Sequence, residues 1–248
     1  MMRGLKKLSI VMAALVALAL GAGTAFANLI INGDFSTGGY PGTGFTSDYL
    51  YFAQPVSPAT GYTTPKSSLY DEGTFGVGTN PSLYHGSWAN FGDHTTGTGN
   101  MMIVNGDTQA NVDVWASPVP SGSLAVTSGQ TYYFGAYLTS VYPETGLGPI
   151  SPATLAFSIN GTQIGSDFTL SANVGTWQLF YVPWVANAAY ADISLINRNT
   201  AISGNDFALD DISFDTRIPG VPEPGTLILL GSGLLGLAIT GARKKFRK

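Results

Sequence analysis

Between Asn28 and Gly220 the sequence holds fourteen carboxylates, two histidines and no cysteine. The missing thiol removes a cysteine nucleophile, a thiolate zinc site and any disulfide. His85 and His94 have eight residues between them in a glycine-rich stretch. That spacing does not build the helical pair that presents two imidazoles to zinc, so both read as satisfied polar side chains. The sequence contains no Gly-x-Ser-x-Gly elbow and no glycine loop that would cradle phosphate ahead of a helix. A glycosidase needs two carboxylates at a set separation. Fourteen acids leave that open, but no pair stands apart and the acids scatter over turns. Saccharide recognition asks for aromatic faces against the apolar side of sugar rings, with Asn, Asp, Gln or Arg for hydroxyls. Trp88, Trp115, Tyr133 and Trp184 are the candidate platforms, with Tyr62 and Tyr84 from loops, and Trp177 is expected in the core. The same rings can equally fill a core, and the sequence leaves that choice open.

A second chemically distinctive stretch closes the chain at 221–248. It reads Val-Pro-Glu-Pro-Gly, an uncharged run from Thr226 to Ala242, then Arg243, Lys244, Lys245, Phe246, Arg247 and Lys248. As a helix, 226–242 would span about 25 Å, just under the roughly 30 Å of a bilayer core. The cationic tail would stay on the cytoplasmic side and leave the body on the other. Pro222 and Pro224 stop helix and sheet from entering the segment, so Pro222-Glu223-Pro224 forms an extended tripeptide that a processing enzyme could grip. Tripeptide, apolar run and basic tail together resemble the PEP-CTERM sorting signal. The resemblance implies recognition at Pro222, Glu223 and Pro224 by an exosortase, a membrane-embedded cysteine protease, and then release to the cell surface. An ordinary single-pass anchor with a proline-rich turn is the plainer alternative.

The other end carries a matching address. Arg3, Lys6 and Lys7 precede an apolar stretch from Ser9 to Gly21, and Ala25-Phe26-Ala27 supplies a small-x-small cleavage pattern. This is the layout of a signal peptide over 1–27, cut by signal peptidase after Ala27 and followed by export through the secretion machinery. An inner-membrane precursor with a periplasmic body, and a mature form at the cell surface or outside the cell, follow as expectations. The remaining 28–220 suffices for one domain with a core of its own. Its three cations, Lys66, Arg198 and Arg217, face the fourteen carboxylates, a net of −11. Such a surface repels nucleic acid and anionic lipid. It suits cations or neutral, hydroxyl-rich partners.

The body is rich in Gly, Ser, Thr and Asn and shows no helical periodicity. Prolines 41, 55, 58, 65 and 81 break the stretch from Ser36 to His85, where irregular loops and edge strands are expected. Beyond it, Met101 to Asn105, Val112 to Ala116 and Thr131 to Val141 are runs of strand formers. Leu155, Phe157 and Ile159 alternate up to Asn160-Gly161, a two-residue hairpin turn. Trp177 to Val182 reads as a strand buried on both faces. Ile193 with Leu195, and then Phe207 to Phe214, complete an all-β, antiparallel sandwich.

The segment from Asn28 to Phe35 (NLIINGDF) and the segment from Asn205 to Phe214 (NDFALDDISF) are similar to the two ends of a galactose-binding-like jelly-roll carbohydrate-binding module. The block from Asp93 to Gly106 resembles one found in jelly rolls that carry the same sorting signal. The resemblance implies that the terminal strands lie side by side. It also implies structural calcium where they meet, with Asp34, Asp210 and Asp93 as ligands beside backbone oxygens. Ser36 departs from the pattern, because the family often has a glutamate there. The function it implies is non-catalytic: a surface or matrix protein associated with exopolysaccharide. A secreted carbohydrate-active enzyme resembling glycoside hydrolases, and a structural matrix protein without a specific ligand, are the alternatives.

Overall fold

The computed structural model describes residues 28–37, 44–53, 69–118, 124–143, 150–221 and 231–233. The leader with Ala25 and Ala27, the Pro222-Glu223-Pro224 tripeptide, most of the apolar run and the tail Arg243, Lys244, Lys245, Arg247 and Lys248 lie outside the described residues, as do Tyr62 and Lys66. Residues 231–233 are helical, and no helix among the described residues is long and apolar enough to cross a membrane. The chain divides into two compact units, and the folded body is Asn28–Pro219.

Its strands are β1 (Leu50–Tyr51), β2 (Thr74–Gly78), β3 (Met101–Asn105), β4 (Val112–Ala116), β5 (Leu124–Ala125), β6 (Thr131–Ser140), β7 (Thr154–Ile159), β8 (Thr162–Thr169), β9 (Gln178–Val185), β10 (Tyr190–Ala191), β11 (Ile193–Asn197) and β12 (Phe207–Asp215). They build a six-stranded sheet in the order β1-β2-β3-β12-β6-β9, a four-stranded sheet β4-β11-β7-β8 and a short pair β10-β5. Every pairing is antiparallel except β1 with β2. The β7–β8 turn forms as its sequence demands: Asn160 and Gly161 take φ of 52° and 71°, the left-handed pair that matches strand twist.

Period-two alternation places one set of side chains between the two larger sheets. Phe75, Val104, Phe134, Phe207 and Phe214 face Trp115, Leu155, Phe157 and Leu195 in one core. Phe134 of β6 stacks on Phe157 of β7 at 4.0 Å, and Phe180 of β9 lies 4.4 Å from Phe157 and 4.6 Å from Phe168. This column of rings ties the sheets together, each contact adding about 0.5–1.5 kcal/mol beyond burial.

The terminal segments do meet. Leu29 N–H donates to the Phe214 carbonyl, Ile212 N–H to the Gly33 carbonyl, and Asn28 bonds with both partners. Residues 28–37 are turns rather than a strand, because Asn32 and Phe35 hold φ of 59° and 51°.

Two expectations need correction. β2 is no loop or edge strand: all five of its residues are buried, with β1 on one side and β3 on the other. Its glycines receive a ring. A Cβ on Gly76 would lie 2.4 Å from Tyr84 Cε1, and the Tyr84 hydroxyl donates to the Val77 carbonyl at 2.8 Å. β9, by contrast, is buried on one face only. It forms the sheet edge, with Phe180 and Val182 turned inward and Tyr181 and Val185 exposed.

Candidate functional site

The outward face of the six-stranded sheet has two halves. Over β2, β3 and the start of β12, residues 79–100 fold back and bury a second apolar cluster of Leu69, Tyr84, Trp88, Met101, Ile103, Val141 and Ala208. Over β6, β9 and the end of β12 the face is partly open.

A bulge in β12 shapes the boundary. The register to β6 shifts between Asp210 and Ser213, and Asp211 holds a φ of 49°. In an unbroken strand two adjacent carboxylates would point to opposite faces. The extra residue turns both toward residues 93–96. His94 and Thr95 donate their N–H groups to Asp210 Oδ2 at 2.9 and 3.2 Å, and the Thr95 hydroxyl lies 2.8 Å from Asp211 Oδ1. His94 Nδ1 lies 2.6 Å from Asp211 Oδ2, both side chains a little under one-third exposed. The imidazole stacks on Tyr137 at 3.5 Å and meets Trp177 edge-on at 5.8 Å.

Further along the same face, Tyr133 of β6 packs near Tyr181 of β9, with ring centroids 6.2 Å apart. Tyr181 is 39% exposed. Asp215 pairs with Tyr133 across the ladder and binds Arg217 at 3.2 Å. Gly135 lies between the two aromatic groups, beneath Pro219, where a Cβ would come within 2.7 Å of the proline ring. The face thus offers half-exposed rings next to a carboxylate, a guanidinium and an imidazole, and that combination can pack against a sugar ring and hydrogen-bond its hydroxyls.

Of the aromatic platforms read from the sequence, Tyr133 stands on this face. Trp88 and Trp115 are 4% and 1% exposed and belong to the two buried clusters. Tyr84 is buried on β2, and Trp184 packs inward against Tyr132 and Phe214. The buried three turn no open face to solvent, and Trp184 is half-buried against the core. Trp177, expected in the core, is half-buried in the outer layer instead.

The three carboxylates read as calcium ligands have other partners. Asp93 accepts the N–H groups of Thr96 and Gly99 and the Thr96 hydroxyl. Burial would raise its pKa, but these bonds outweigh it and hold the group below the usual carboxylate range. Asp34 accepts from the N–H and hydroxyl of Ser36. Burial, and next the charge of Asp211, push Asp210 up to about 7 against the pull of three N–H donors. Among the described residues no three His, Cys, Asp or Glu side chains gather as a metal site. Turn and loop donors thus bond to both oxygens of Asp93 and of Asp210 and to one oxygen of Asp34.

Residues 220–245 match the model of the PEP-CTERM protein-sorting motif. No curated protein matches the chain. Similar solved structures include the N-terminal CBM22-1–CBM22-2 tandem of Paenibacillus barcinonensis Xyn10C, with TM-score 0.43 and 14% identity over 82% of this chain and 50% of that one. A family 35 carbohydrate-binding module from an environmental isolate gives 0.34 and 19% over 55% and 91%. The CBM6 module of Cellvibrio mixtus lichenase 5A, in complex with cellotriose, gives 0.35 and 12% over 53% and 88%.

Proposed function

We propose that this chain is a non-catalytic component of the cell surface or biofilm matrix, exported and processed at its C-terminal signal by an exosortase. Its body associates with exopolysaccharide through the open outer face of β6 and β9. The sorting motif at 220–245 supports the first half of this reading. The observation that carries the second is the half-exposed pair Tyr133 and Tyr181 beside Asp215 and Arg217. A sugar ring on that pair would bury apolar C–H groups against the tyrosines. Its hydroxyls would meet one acceptor and one donor already aligned with each other.

The test is affinity electrophoresis of the exported protein in gels containing exopolysaccharide. Affinity should fall about five- to thirtyfold in Tyr133→Ala and Tyr181→Ala, corresponding to the roughly 1–2 kcal/mol expected for losing one such contact. It should depend weakly on salt, because neutral hydroxyls dominate. Steep salt dependence, or unaltered retardation in both variants, would overturn the site. Release of reducing sugar from the polysaccharide would favour a carbohydrate-active enzyme, and silence in both assays would favour a purely structural matrix protein.

A further inference from the structure

Four buried polar atoms in the covered half of the outer face have no hydrogen-bond partner: Glu72 Oε2, Asn105 Oδ1, Asp206 Oδ1 and Trp88 Nε1. Strand register brings their backbones together. Asn105 of β3 pairs with Thr74 of β2, and Val104 with Phe207 of β12, so Asp206 stands beside Asn105 one step outside the ladder. Glu72 precedes β2, tied in by the Gly73 N–H, which donates to the carbonyls of Asn105 and Gly106. Asn105 and Asp206 are each 4% exposed. Tyr70, His85 and Trp88 form a stack of rings over this region, with centroids 3.8 and 4.8 Å apart.

An orphaned buried polar atom costs about 1–3 kcal/mol, and a buried carboxylate costs more. The Trp88 N–H acts on Asp206, but one donor cannot satisfy three acceptors. The charges acting on Glu72 come from Asp206, Asp107 and Asp71, all acidic. No Lys or Arg among the described residues forms an ion pair with Glu72 or Asp206. The overhead histidine brings no charge either, because burial lowers its pKa to about 4.

We propose that Glu72, Asn105 and Asp206 hold a hard divalent cation of the calcium class. Two carboxylates balance its charge, and an amide oxygen adds a neutral ligand. The donor set is oxygen alone, which suits calcium or magnesium and not zinc or copper. The set joins β2, β3 and β12, so the ion would tie the loop before β2 to the last strand. This is a different place from Asp210, four residues further along β12.

The test uses the full chain in detergent micelles, stripped with a chelator and dialysed, followed by thermal melts with calcium or magnesium chloride. Millimolar calcium should raise the melting temperature by about 5–10 °C, the shift expected for a ligand near a hundredfold above its Kd on a domain this size. Elemental analysis should find about one calcium per chain. Glu72→Gln, at the rim of the site, should abolish the shift while leaving the stripped protein folded. Asp206→Asn should do the same where it folds, and Asp210→Asn should retain the shift. Binding by magnesium alone would keep the site and change the metal. No bound metal and no shift in the wild-type chain would overturn the proposal and leave protons or water at these atoms. A shift that survives Glu72→Gln would overturn it too.

Discussion

His94 Nδ1 lies 2.6 Å from Asp211 Oδ2, across 117 residues of chain. This contact, with the two N–H bonds to Asp210 beside it, fastens the loop of residues 93–96 onto the bulge of β12. The bulge makes the attachment two-pronged, since each carboxylate takes different donors from the loop.

Removing one prong should loosen the loop without unfolding the body. Asp211→Asn is expected to cost about 1.5–3 kcal/mol, the range of a hydrogen bond to a charged group. Denaturant melts should show this loss. Amide exchange at Thr95 and Thr96 should accelerate far more than exchange in β6. Uniform acceleration across the sheet would mean that the bulge holds the sandwich and not the loop.

The fit of Tyr84 onto β2 makes a sharper prediction. Gly76→Ala would press a methyl into the ring at 2.4 Å, and overpacking of this kind costs about 1–3 kcal/mol. Tyr84→Ala removes the obstacle, though it costs about 3–5 kcal/mol of its own as a large-to-small change. In the double variant the alanine at 76 should cost almost nothing. Denaturant melts of the four proteins in this cycle check it, and additive losses would show that backbone strain, not the ring, demands glycine.

The same contact explains why β2 could not be read from the sequence. Thr-Phe-Gly-Val-Gly looks like a loop, because its glycines weaken a strand until something packs on them. Asn160-Gly161 was legible for the opposite reason: its signal is local and needs no tertiary partner. Phe207 to Phe214 was legible from alternation, but nothing local marks Asp211 as the residue that breaks the period. Aromatic exposure was hardest. Trp115 and Tyr133 both sit in strands, and only the covering sheet decides that one is core and the other surface. The carboxylates behaved likewise. Asp210 reads as a ligand, and in the fold one of its oxygens also takes N–H groups from the loop of residues 93–96. Asp206, in the same motif, keeps an oxygen with no partner.

His85 should respond to acid. Its Nδ1 accepts the Ser87 N–H at 3.2 Å, so the neutral ring is the one that fits. Burial lowers its pKa to about 4, below the 6.5 of an open histidine. The unfolded chain therefore takes up a proton first. The stability contributed by the neutral ring is complete above pH 6.5 and is lost as the pH falls toward 4. An NMR titration of the His85 ring protons should show a midpoint near 4, and a midpoint near 6.5 would mean that the ring is open to water.

Processing supplies the last prediction. Arg217 is bound to Asp215, and Pro219 sits on Gly135, so the folded body holds its own C-terminal segment to within two residues of Pro222. Two prolines in the next three residues disfavour helix at the residue before each of them, which is the backbone a strand-gripping protease would need. Intact-mass analysis of the surface form should place its end near Glu223, without the cations from Arg243 to Lys248. Replacing Pro222 and Pro224 with alanine should let helix enter the motif from the apolar run, and uncleaved precursor should accumulate in the membrane. A surface form that still ends at Lys248 would show that the signal acts as a permanent anchor. A variant processed at the wild-type rate would show that the protease requires neither the prolines nor the extended backbone they impose.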